Sequence, residues 1–250
     1  MAIYNDKKYI NKNTILSYAK TNETFLKGEV KGVIIELPGL DGCSCLGGNL
    51  NLGDYDTEHA KDFAEYGIIL AYMFPGPWSW GNKSAIRMTN AVVDAIADKY
   101  NLKEGFPLVV SGGSMGGLGT LNFIAGTTRK VTAAAVACPV MDALYSMGCH
   151  PEFPRTLLSA VGSYDMDYED ALETISPVHK IGEMPSIKYY ISSDGDDELI
   201  PEVQIENYAK ALKDKGCDVI YRPQPGLKHG QFTKEVWNEQ HEFMIRAILG

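Results

Sequence analysis

Short apolar, β-branched runs recur along this chain, separated by longer stretches in which apolar residues return every three or four positions. The runs at residues 30–37, 67–74, 107–111, 131–138, 187–192 and 218–221 predict buried strands. The stretches at 57–66, 84–100, 115–125, 202–215 and 233–249 predict helices. Strand and helix alternate, and the strands are apolar almost throughout instead of at every second position. Strands covered on both faces have that pattern, so the prediction is an α/β fold with a mostly parallel sheet and helices on either side. Residues 1–28 are expected to supply an antiparallel lead-in hairpin.

The rhythm breaks once. Residues 141–177 pass through Cys149-His150-Pro151-Glu152-Phe153-Pro154 and Tyr164-Asp165-Met166-Asp167-Tyr168 before the next strand begins. A connection of that length between neighbouring strands predicts a functional insertion, here a small cap over a site.

The chemistry gathers where the run at 107–111 meets a Gly-rich turn and then a helix, at Gly112-Gly113-Ser114-Met115-Gly116-Gly117. In a strand–turn–helix context, Gly-x-Ser-x-Gly presents a strained serine hydroxyl at the sheet edge. The glycines have a mechanical role, since a side chain at Gly112 or Gly116 would collide with the tight turn. A serine hydroxyl needs a base within hydrogen-bond reach and a third group to orient that base. Of the five histidines, His59 and His241 fall among charged helical residues and are expected to be solvated. His179 reads as a surface residue in a turn. His229 stands in Pro225-Gly226-Leu227-Lys228-His229-Gly230, after the last predicted strand, in a loop that leaves the sheet at the edge of Ser114. The carboxylate is expected after the preceding strand, in Ser193-Asp194-Gly195-Asp196-Asp197-Glu198-Leu199-Ile200-Pro201, where three aspartates are available.

Composition narrows the setting. With 250 residues and 45% hydrophobic content, the chain can bury one large core, and 1–250 reads as a single domain carrying the 141–177 insertion. A net charge of −9 without a Lys/Arg cluster disfavours nucleic acid and anionic membrane surfaces as partners. No signal peptide or membrane-spanning run is recognisable, so a cytoplasmic protein is expected. Five cysteines then read as reduced thiols. Cys43-x-Cys45 and Cys149-His150 match no common zinc framework, and neither a metal nor an organic cofactor is expected.

The order serine, acid, histidine, together with Gly112-Gly113-Ser114-Met115-Gly116-Gly117, resembles the α/β-hydrolases over nearly the whole chain, in particular the compact esterase, dienelactone hydrolase-like and prolyl-oligopeptidase-like group. In that superfamily the acid often precedes a short aliphatic stretch and a proline. The resemblance therefore selects Asp197, followed by Glu198-Leu199-Ile200-Pro201, and implies a triad of Ser114, Asp197 and His229. The residue after the nucleophile, Met115, supplies one oxyanion N–H by position. The resemblance points for the second to Pro38-Gly39-Leu40-Asp41-Gly42, with Leu40 as the expected donor and Asp41 the alternative; here Pro38-Gly39 replaces the family's common His-Gly.

These residues imply a serine carboxylic-ester hydrolase acting on a small-molecule ester through an acyl-enzyme on Ser114. Trp78 and Trp80, in a Pro/Gly-stiffened loop after the strand at 67–74, are expected to stack on substrate, which would suit acetylated or hydroxycinnamoylated carbohydrate esters. The alternative is a serine peptidase of the oligopeptidase type, disfavoured by the lack of a gating domain and of an acidic pair to hold a peptide amino terminus. A pure binding role would not need the three triad residues.

Overall fold

The computed structural model describes residues 6–40 and 55–250. Its centre is a seven-stranded sheet built from β1 (Ala19–Thr21), β2 (Gly32–Leu37), β3 (Ile68–Met73), β4 (Leu108–Gly113), β5 (Ala133–Ala137), β6 (Lys188–Asp194) and β7 (Asp218–Gln224), in the order β1-β3-β2-β4-β5-β6-β7. The pairs from β3 through β7 are parallel. Only β1 runs antiparallel, with Ala19 opposite Met73. The expected lead-in hairpin is thus replaced: among the described N-terminal residues there is one three-residue strand between short 3₁₀ turns, and its partner is β3. Val33, Ile35 and Leu37 of β2 face one core layer, while Ile34 faces the other, so alternation along each strand feeds both sides of the sheet.

Helices cover both faces. α2 (Lys83–Tyr100) and α3 (Met115–Gly126) pack in the larger core layer with α7 (Glu202–Asp214), and α1 (Glu58–Glu65) and α8 (Lys234–Leu249) in the smaller. Their starts follow from side-chain caps: Thr57, Asn82 and Thr233 accept the N–H groups of Ala60, Ala85 and Val236. β5 is Ala133-Ala134-Ala135-Val136-Ala137, buried throughout, and its small side chains allow helices close approach on either face. Strands β4, β6 and β7 run past their predicted ends, because ladder pairing continues after the apolar run stops, as between Asp194 and Gln224.

Residues 141–177 contain three short helices, α4 (Ala143–Ser146), α5 (Phe153–Val161) and α6 (Tyr168–Thr174). Asn122 of α3 donates to the Ile175 carbonyl at 2.7 Å, and Asn82 to the Ala160 carbonyl at 2.8 Å, which ties this segment to the main body. Among the described residues, no helix is long and apolar enough to cross a membrane.

Candidate active site

Ser114 lies between β4 and α3 with φ +53° and ψ −122°, a backbone conformation that L-residues rarely hold. Close packing enforces the turn. A Cβ at Gly116 would lie 2.1 Å from the Leu37 carbonyl oxygen, one at Gly112 would lie 2.6 Å from the Gly116 backbone, and one at Gly117 would lie 2.7 Å from Pro139 Cβ. The glycines on either side of Ser114 are there because backbone occupies the space of their side chains.

The structure brings Ser114, His229 and Asp197 together. His229 Nε2 stands 2.9 Å from Ser114 Oγ, and His229 Nδ1 stands 2.7 Å from Asp197 Oδ2. The other Asp197 oxygen accepts the N–H groups of Leu199 at 2.8 Å and Ile200 at 3.0 Å, so the carboxylate is held at both ends. Its side chain is 1% exposed, whereas His229 retains 22% and opens toward solvent. With Nδ1–H donating to Asp197, Nε2 carries the lone pair that faces the serine.

The neighbouring acids have other positions. Asp194 is buried and accepts the Gly230 N–H at 2.9 Å and the Gln224 side-chain amide at 3.0 Å. Burial pushes its carboxyl above the usual range, with the Gly230 bond opposing the shift. Asp196 is exposed. Behind the relay, the thiol of Cys138, the carboxylate of Asp197 and the ring of His229 lie within 4.8 Å of one another, the one cluster of potential metal ligands among the described residues. Burial, and then the nearby Asp194 carboxylate, push the Cys138 thiol well up, so it stays protonated and is a poor ligand or nucleophile. Cys43 and Cys45 lie outside the described residues.

A cavity of about 280 Å³ opens on Ser114 and His229 and is lined also by Gly39, Leu40, His150, Glu152, Phe153 and Leu199. The expected second oxyanion loop therefore lies beside the serine: a Cβ on Gly39 would come 3.9 Å from Ser114 Cβ. Met115 begins α3, where helix N–H groups lack intrahelical acceptors. Asp41, the alternative donor, lies outside the described residues. His150, Glu152 and Phe153 of the 141–177 insertion join the site through the fold, and no local sequence pattern marks them as part of it. The Glu152 N–H donates to His150 Nδ1 at 3.2 Å, which leaves Nε2 as the protonated nitrogen of the neutral ring.

Two expectations need correction. Trp80 is fully buried, with φ +45°, and its ring meets Phe153 edge to face at 5.2 Å. It backs the cavity through Phe153 and offers no face to a substrate, while the half-buried Trp78 packs on the core and does not line the cavity. His59 and His241 are not solvated either. They meet between α1 and α8, Nδ1 to Nδ1 at 2.7 Å, and His241 Nε2 is bonded to Asp62. His179 is exposed, as expected.

The open parallel sheet, the Ser114 turn and the serine–acid–histidine order define an α/β-hydrolase. The chain belongs to the prolyl oligopeptidase family, whose sequence pattern it matches over residues 83–246. No curated protein sequence matches it. Among solved structures it is similar in fold to an acylaminoacyl peptidase of Pyrococcus horikoshii, with TM-score 0.70, 13% identity, and coverage of 88% of this chain and 37% of that one. A puromycin-hydrolyzing peptidase of Mycobacterium tuberculosis gives TM-score 0.61 and 20% identity over 89% of this chain and 34% of that one. Esterase B of Lactobacillus rhamnosis gives TM-score 0.65 and 11% identity over 88% and 78%. The chain thus spans about a third of the length of these peptidases and most of the esterase.

Proposed function

We propose that the protein is a carboxylic-ester hydrolase that forms an acyl-enzyme on Ser114. The observation that carries this reading is the continuous relay Asp197–His229–Ser114 ending in a cavity of about 280 Å³. Ser114 Oγ attacks the acyl carbonyl while His229 Nε2 takes its proton, and Asp197 holds the ring in the required tautomer and stabilises the imidazolium. The N–H groups of Met115 and Leu40 receive the oxyanion. Collapse expels the alcohol, protonated by His229, and water activated by the same ring then releases the acid. The sequence needs no metal or organic cofactor.

The cavity is at the low end for small-molecule sites, which supports a short or single-ring acyl group. The segment 141–177 acts as a cap through His150, Glu152 and Phe153. For a hydroxycinnamoyl or sugar-linked ester, the aromatic contact comes from Phe153 in place of the two tryptophans. Membership of the prolyl oligopeptidase family favours a second reading, amide cleavage by the same residues as a serine peptidase.

A fluorophosphonate probe followed by peptide mass spectrometry tests the core of the proposal. The adduct is expected on Ser114 and absent from Ser114→Ala; an adduct on another serine overturns it. Parallel kcat/KM values on aryl esters and on aminoacyl and peptidyl anilides separate the readings, and faster amide than ester turnover would make the protein a peptidase.

A further inference from the structure

A second cavity, of about 130 Å³, lies on the α1/α8 face of the sheet and is separate from the one at Ser114. Glu36 of β2 and Ser111 of β4 stand side by side in the ladder and both line it, with Gly112 and Gly113. α1 contributes His59, and α8 contributes Trp237, Gln240, His241 and Met244. Phe232 closes one wall and meets Trp237 edge to face at 6.0 Å.

The polar groups here are only partly used. Ser111 is 6% exposed and Gln240 is 8% exposed, and among the described residues neither side chain has a hydrogen-bond partner. Glu36 receives one bond, from the Tyr55 hydroxyl at 3.2 Å. With both rings neutral, His241 Nε2–H donates to Asp62, His59 Nδ1–H donates to His241, and His59 Nε2 remains an acceptor without a partner among the described residues. These groups converge on one cavity that solvent reaches, so a ligand there would exchange water for a carboxylate, a ring nitrogen and a hydroxyl already positioned side by side. Among the described residues, the titratable and charged groups around Glu36 are Tyr55 and the tilted Tyr72 ring beside it, His59 on α1, and His241 on α8, itself bonded to Asp62. No Lys or Arg lines the cavity among the described residues.

We infer that this cavity is a binding site for a small primary ammonium ion. An alkylammonium donates to the Glu36 carboxylate, His59 Nε2 and Ser111 Oγ, while its short carbon chain lies against Trp237, Phe232 and Met244, whose aromatic members also favour a cation. An apolar cavity of about 150 Å³ accommodates benzene, so the space suits roughly four to six heavy atoms.

Burial raises the Glu36 carboxyl to about 7, so at lower pH the incoming cation must displace a proton from it. Titration calorimetry with n-butylammonium chloride, with n-butanol as the neutral counterpart, tests the site in the whole protein. The ammonium is expected to bind saturably, about tenfold more tightly at pH 8 than at pH 6, because Glu36 passes from mostly protonated to mostly ionised over that range. Glu36→Gln should abolish this binding. Ser111→Ala is a second variant, on β4 instead of β2, and should weaken it, with melting curves confirming that both proteins fold. No saturable heat at tens of millimolar, equal affinity for butanol, or binding that survives Glu36→Gln would each overturn the inference.

Discussion

Asp194 accepts the backbone N–H of Gly230, the residue after His229, so the acid three positions before Asp197 holds the histidine loop and leaves the imidazole to Asp197. Two carboxylates of one turn thus grip the same loop at two points, one through the ring and one through the main chain.

Their asparagine variants should therefore fail differently. Asp197→Asn keeps the shape but favours the wrong His229 tautomer, and kcat/KM should fall by about 10⁴ with little change in Tm. Asp194 accepts a donor on each oxygen, and asparagine turns one acceptor into a donor facing the Gly230 N–H or the Gln224 amide. That mismatch should cost about 1–3 kcal/mol of stability, with a far smaller loss of activity. Measured kcat/KM and melting curves for both variants decide the assignment; a larger rate loss in Asp194→Asn would reverse it.

The turn at Ser114 makes a separate prediction about glycine. Gly116→Ala must displace the Leu37 carbonyl, which lies 2.1 Å from the new Cβ, and β2 cannot yield without moving the sheet and the loop of Gly39 and Leu40. A loss of at least about 3 kcal/mol and of phosphonate labelling is expected. Gly148→Ala, with open space around it and no positive φ, should be neutral or stabilise by up to about 1 kcal/mol. Denaturant unfolding of the two proteins makes the comparison.

Much of this was legible before the structure because it is local. Strand and helix periodicity, the Gly112–Gly116 spacing and the acidic turn before Pro201 each lie within a few residues of one another, and parallel topology carries Ser114, Asp197 and His229 to one edge. What escaped depends on partners distant in the chain. Periodicity assigns His59 and His241 to their helices but does not reveal that α1 and α8 face each other, so two partly buried, mutually bonded rings read as solvated. Trp80 sits among prolines and glycines that signal an exposed loop, yet its left-handed backbone turns the ring inward against Phe153 of α5. Glu36 interrupts an apolar strand with no local sign of the cavity it lines.

The roles of Trp80 and Phe153 can be separated by substrate. Trp80→Ala should lower stability by about 3–5 kcal/mol, as removal of a fully buried aromatic does, and should reduce turnover of small and bulky esters alike. Phe153 lines the cavity, and Phe153→Ala should shift the ratio of kcat/KM between an acetyl ester and an aromatic acyl ester by roughly 10–100-fold. An unchanged ratio in Phe153→Ala, measured on a matched ester pair, would remove Phe153 from the acyl contact.

Glu36 and His59 give the folded protein two opposing dependences of stability on pH. Burial raises Glu36 from 4.5 to about 7, so between those values the unfolded chain is ionised while the folded one keeps its proton, and stability falls as pH rises. Burial, and then the charge of His241, lower His59 from 6.5 to about 4; over that interval the unfolded chain binds a proton that the folded one refuses, and stability falls as pH falls. The two slopes oppose each other across the window from 4.5 to 6.5, each worth on the order of 3 kcal/mol over its full range. Glu36→Gln should thus gain on the wild type steadily as pH rises from 4.5 to 7 and hold a constant advantage above it. His59→Gln should gain on the wild type as pH drops below 6.5. Urea unfolding of the three proteins at half-unit pH intervals reads both differences directly. A Glu36→Gln difference that stays flat from pH 4.5 to 8 would mean that Glu36 ionises normally in the folded protein, its cavity being wet enough to solvate the charge.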